Sequence, residues 1–96
     1  MKLISVQVST KPEKKLMAIF ETDTGRTRTT HFGQATADDY TLTHDKQQRQ
    51  RYRIRHLKDL RTNDPTKAGF LSYYILWGNS TDIDKNVSAY KKKFNL

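Results

Sequence analysis

Residues 68–77, AGFLSYYILW, form the one stretch of this chain that is apolar on nearly every side of a helical wheel. Such a helix belongs in a core, because a surface helix keeps one polar face. The chain has 96 residues, 34% of them hydrophobic, so a single domain with a small core is expected, burying about 65% of the surface its unfolded form exposes. Another element must cover the apolar segment, and the first third of the chain supplies it. Cysteine is absent, which excludes disulfides, thiolate metal sites and cysteine nucleophiles and fits a reducing compartment. The opening MKLISVQVST is apolar over too short a run for a signal peptide core or a membrane span, so a soluble, unexported protein is expected.

The first third has the periodicity of strands. Ile4, Val6 and Val8 alternate with Leu3, Ser5, Gln7 and Ser9, the period of two of a half-buried strand. After the break at Lys11-Pro12-Glu13-Lys14, LMAIFE at residues 16–21 is a second strand, and Asp23-Thr24-Gly25-Arg26 is a hairpin signal. RTRTTHF, residues 26–32, suits a third strand with one wet face. Three antiparallel strands need cover on one face.

Residues 33–43 read as a connection with a turn glycine at Gly33 and with Tyr40 and Leu42 as core anchors. A helix is expected over about 45–61, capped by Thr43 or Asp45, with Tyr52, His56 and Leu60 on its buried row and Arg51, Arg55 and Lys58 opposite. A second is expected over about 65–77, with Asp64 as cap, Pro65 in the first turn and Gly78 closing it. A third follows over about 82–94, capped by Ser80 or Thr81, with Ile83, Val87, Tyr90 and Phe94 on one face. The expected fold is α+β: one domain over residues 1–96, with a three-stranded antiparallel sheet (1–33) followed by three helices packed on it (44–96).

His31-Phe32-Gly33, Asp39-Tyr40-Thr41, His44-Asp45, Arg51-Tyr52, Arg55-His56, Asp64-Pro65, Ala68-Gly69, Leu71-Ser72, Ile75-Leu76-Trp77, Tyr90-Lys91-Lys92 and Phe94-Asn95-Leu96 form an ordered series. It resembles a family of small basic proteins of uncharacterised function encoded by nucleocytoplasmic large DNA viruses, including giant viruses, with a marseillevirus-type member the nearest in kind. The likeness runs from about Lys15 to the C-terminus and leaves residues 1–14 outside. It implies a viral context, in the virion or in the cytoplasm or nucleus of an infected host cell, and carries no catalytic residues.

Charge is the most informative functional signal. The formal net charge is +8, with +1 in residues 1–40 and +7 in residues 41–96. Within residues 47–61, QQRQRYRIRHLKDLR, lie Arg49, Arg51, Arg53, Arg55, Lys58 and Arg61, with Lys91, Lys92 and Lys93 as a second cluster. Arginine's planar fork makes two hydrogen bonds to a phosphate, so these nine residues are the expected contacts to a DNA or RNA backbone, DNA more than RNA. The bland alternative is a solvated helix face whose arginines pair with Asp45, Asp59, Asp82 and Asp84. No zinc-finger spacing, RNP-like strand motif or GXXG loop is present, so recognition through phosphates without base reading is expected.

The remaining motifs carry less. His31, His44 and His56 match no metal-ligand spacing and read as structural, Asp38 and Asp39 as solvated neighbours, and Tyr73, Tyr74 and Trp77 as core rather than base-stacking residues. The sequence thus points to a non-enzymatic nucleic-acid-binding protein, without cofactor, metal, membrane or small-molecule partner, that packages or accompanies a genome as a homodimer formed through its sheet. The rival reading is a virion structural or host-interaction protein whose basic patch meets an acidic protein surface. A hydrolase using His31, His44 and Asp39 is a distant third and requires those side chains to converge.

Overall fold

A computed structural model describes all 96 residues. Three strands, β1 (Lys2–Val8), β2 (Lys14–Glu21) and β3 (Thr27–Gln34), form an antiparallel sheet in the order β1-β2-β3. Register brings Val6, Ala18 and Thr30 abreast, and Leu3, Phe20 and Arg28 beside them. Ala18, Phe20 and Phe32 are fully buried on the covered face. The α+β architecture is therefore the one expected.

The period of two in β1 is interrupted. A bulge between Leu3 and Ser5 shifts the register, and one extra residue reverses the facing of everything before it. Leu3 thereby turns inward and is 2% exposed, while Ile4 stands in solvent; Val6 packs against the core as expected, and Val8, beyond the bulge at the end of the strand, is exposed. Gly33 is not a turn residue. It lies inside β3 with φ +79°, and a Cβ there would stand 2.6 Å from Leu76 Cδ1.

The helical part has four segments rather than three. A single turn, α1 (Tyr40–Thr43), is capped by Asp39, whose side chain accepts from Thr41 N–H, and ends at His44 with φ 56°. It buries Tyr40 but leaves Leu42 exposed, since four residues offer only one inward position. The basic helix α2 (Lys46–His56) is capped by Asp45, which accepts from the N–H groups of Gln47 and Gln48. It continues as a tighter 3-10 helix, Leu57–Thr62, which closes at Asn63 with φ 51°.

The apolar segment is helical from Ala68, not from Pro65. The intervening carbonyls leave the chain axis: Pro65 O accepts from Tyr90 Oη at 2.5 Å and Thr66 O from Thr30 Oγ1 at 2.7 Å. Asp64 instead holds Thr66 N–H and Oγ1, and these bonds lower its pKa. α3 (Ala68–Leu71) then widens into a π turn, Ser72–Leu76, in which Trp77 N–H donates to Ser72 O. The expected burial is found: Phe70, Leu71, Tyr73, Ile75, Leu76 and Trp77 are all buried.

The last helix, α4 (Ile83–Phe94), is capped by Asp82 rather than by Ser80 or Thr81. Tyr90 faces the core, packed with Ile83, Val87 and Phe94. Buried Asn86 ties α4 to the apolar segment, donating to Ile75 O at 2.9 Å and Ser80 O at 2.7 Å and accepting from Ser80 N–H. No helix is long and apolar enough to cross a membrane.

The two positive-φ glycines differ in surroundings, which separates backbone strain from overlap. Gly25→Ala meets open space and is expected to lose only the left-handed backbone term, about 1–2 kcal/mol. Gly33→Ala adds the clash with Leu76 and is expected to lose at least about 1 kcal/mol more, read as the difference between their urea unfolding free energies.

Candidate nucleic-acid interface

α2 presents two chemically distinct basic rows because residues three and four apart share a helix face. Arg49 and Arg53 face inward and are half-buried, whereas Arg51, Arg55, Lys58 and Arg61 are exposed. The inward pair meets the C-terminal end of the π turn, where a helix leaves carbonyls without internal partners and carries the negative end of its dipole. Arg53 Nη1 donates to Tyr73 O at 3.0 Å and Trp77 O at 2.8 Å. Its guanidinium lies 4.0 Å from the centre of the Tyr73 ring. Arg49 donates through Nε to Gly78 O and through Nη2 to Asn79 Oδ1, each at 2.7 Å. Burial lowers the pKa of Arg53. Two of the nine expected phosphate contacts thus serve as a clamp between α2 and the core.

The arginines do not pair with carboxylates. The ion pairs of the molecule are Met1 N-terminus with Asp23 and Lys15 with Asp39, and Asp59 is hydrogen-bonded to His56 Nδ1 at 2.9 Å. Asp45 and Asp82 are spent on helix caps. The outward row is therefore uncompensated, contrary to the reading in which Asp45, Asp59, Asp82 and Asp84 neutralise it.

Lys93 connects the second cluster to the first. Its Nζ lies 5.7 Å from the centre of the Tyr74 ring, and the Arg53 guanidinium lies 5.8 Å from the same ring. Lys91 and Lys92 are exposed on the last turn of α4, where cations complement the helix dipole. Lys91 borders a cleft shared with Met1, Lys2 and Leu96.

Outside these clusters, His31 and Asp39 are engaged by separate partners. His31 Nδ1 bonds Ser9 Oγ at 2.7 Å. His44 ends α1, and Asp39 accepts from Lys15 at 2.5 Å and from Thr41 Oγ1. No three His, Asp or Glu side chains form a set able to hold a metal ion. Asp39 is buried rather than solvated like its neighbour Asp38, because it caps α1 and neutralises Lys15. His56, expected on a buried row with Tyr52 and Leu60, faces inward with them but all three are only half-buried; it is stacked on Tyr52 at 4.1 Å, and Tyr52 stacks on Trp77 at 4.2 Å.

Burial, with Asp59 adding to it, pushes the Tyr52 phenol from 10.0 up to about 12. The folded protein holds that proton more tightly than the unfolded chain does, so the associated stability is complete below pH 10 and lost as pH rises towards 12. Urea midpoints measured from pH 8 to 11.5 are expected to fall, less steeply in Tyr52→Phe. Arg53→Ala leaves two part-buried carbonyls without a donor and is expected to cost about 2–3 kcal/mol, while Arg51→Ala stays within about 0.5 kcal/mol; the same unfolding measurement compares them.

A family model described as a family of unknown function, DUF5754, matches residues 4–56, from β1 to the end of α2. The match reaches further towards the N-terminus than the resemblance at Lys15 and stops before α3. Comparison with curated proteins and with solved structures gave no match.

Proposed function

Because that match spans more than half of the chain, the chain belongs to the DUF5754 family, a family of unknown function, and from its own surface we propose that it binds nucleic acid through phosphate contacts. The observation that carries this reading is the uncompensated row Arg51, Arg55, Lys58 and Arg61, exposed on one side of α2 and its 3-10 extension with no carboxylate paired to it. Lys91, Lys92 and Lys93 assist, and Arg49 and Arg53 hold the helix that presents the row. Four to seven phosphates is a weak grip for one molecule, so a homodimer that doubles the surface is part of the proposal; the unpaired outer edges of β1 and β3 support it. The reading is non-enzymatic, and the separate partners of His31 (Ser9) and Asp39 (Lys15 and Thr41) support that. The resemblance to proteins of nucleocytoplasmic large DNA viruses supports a role in covering or accompanying a genome, in a virion or an infected cell.

A second reading, a basic patch that docks an acidic protein surface, is favoured by the exposure of Ile54 and Leu57 beside the basic row. Salt separates nucleic-acid binding from a bland surface. The logarithm of duplex affinity is expected to fall with the logarithm of salt concentration with a slope of about −0.9 per phosphate contacted, so about −4 for the outward row alone. Changing Arg51, Arg55 and Lys58 together to Glu is expected to abolish retention on DNA with an unchanged circular dichroism spectrum. Retention of DNA by that triple variant defeats the proposal.

A further inference from the structure

Phosphate contact alone leaves one feature of α2 without a purpose. Ile54 is 69% exposed and Leu57 58%, in the middle of the most basic stretch of the chain. Successive helical residues turn by about 100°, which places Ile54 at the centre of the outward arc. Arg51, Arg55 and Lys58 lie to one side of it, Gln50 and Leu57 to the other.

Resting on the polyanion reading above, we propose that the ligand is B-form duplex DNA and that α2 lies in its major groove. In this arrangement Ile54 and Leu57 face base edges, and Arg51, Arg55, Lys58 and Arg61, on one side of Ile54, reach the phosphates along one rim. The dimensions agree. A helix with its side chains is about 10–12 Å across, and the major groove is about 12 Å wide. From Arg51 to Arg61, with about 1.5 Å per residue in α2 and about 2.0 Å in the 3-10 extension, the basic row is about 17 Å long and, running along the helix, follows one rim of the groove.

Four further observations favour this ligand. First, α2 buries none of its residues and is held to the body only from its inner side, by Tyr52, Arg49 and Arg53, so its outer arc is unobstructed. Second, the only acidic side chain in residues 46–62 is Asp59, and it is turned to His56. Third, a single strand needs exposed aromatic faces for its bases. The exposed large hydrophobics are Met1, Ile4, Val8, Leu42, Ile54 and Leu57, none aromatic; the rings pack on one another instead, Tyr52 stacked on Trp77 and Tyr73–Tyr74 and Tyr90–Phe94 edge to face. Fourth, the major groove of A-form RNA is too deep and narrow for side chains to read, whereas that of B-DNA offers thymine methyl groups for apolar contact. A second copy of the chain on this face is disfavoured, since it would set Arg51, Arg55 and Lys58 against like charge.

The experiment is fluorescence anisotropy at fixed low salt with three 20-nucleotide probes of one sequence: a DNA duplex, an RNA duplex and single-stranded DNA. The DNA duplex is expected to bind at least about tenfold more tightly than the other two. The double variant Ile54→Ala, Leu57→Ala keeps every charge and removes only exposed side chains. It is expected to weaken DNA-duplex binding about tenfold with the salt slope unchanged, because the phosphate contacts remain. Equal affinity for all three probes, full affinity in the double variant, or preference for anionic lipid vesicles over the DNA duplex each overturns the inference while leaving polyanion binding standing. Absence of binding to every probe, heparin included, overturns both.

Discussion

A buried helix that ends inside a small domain leaves carbonyls with nothing to accept from. In this protein the segment that makes the core ends in a π turn, and the Tyr73, Trp77 and Gly78 carbonyls are met by Arg53 and Arg49 from the neighbouring helix. Unpaired, each buried carbonyl costs about 1–3 kcal/mol, which is a large share of the stability such a domain has. The clamp therefore does two jobs in one geometry. It closes the polar end of the core, and it sets the rotation of α2 about its axis, which in turn decides which basic residues meet solvent.

Asn86 performs the corresponding closure on the other side. It bridges Ile75 O and Ser80 O and accepts from Ser80 N–H, so α4 is joined to the same segment through its backbone. Gly78 permits this approach: a Cβ there would lie 2.2 Å from Tyr74 O and 2.8 Å from Asn86 Cγ. The sheet meets the segment with Phe20, Phe32 and Ala18. The cationic surface is thus a by-product of core closure as well as a candidate interface, with inner arginines structural and outer ones free.

Much of this was legible in residue order. The three strands, the buried identity of residues 68–77, the capping by Asp45 and the inward face of α4 follow from periodicity and composition. The bulge at Ile4 was not legible, because one inserted residue leaves the alternating pattern intact on paper while reversing half of it in space. The late start of α3 was not legible either, since it depends on Tyr90 and Thr30 drawing carbonyls out of line from 25 and 36 residues away. The division of the arginines was half legible: Arg49 and Arg53 fall on a different row from Arg51, Arg55 and Lys58, but nothing local says which row faces inward.

By itself the sequence determined the fold class, the core segment and the concentration of charge in the helical half, because those depend on composition and short-range periodicity. Tertiary structure alone decided which cations are available. Solvation and pairing depend on atoms brought together from distant positions, and the Arg53 guanidinium is engaged by carbonyls 20 and 24 residues further along the chain.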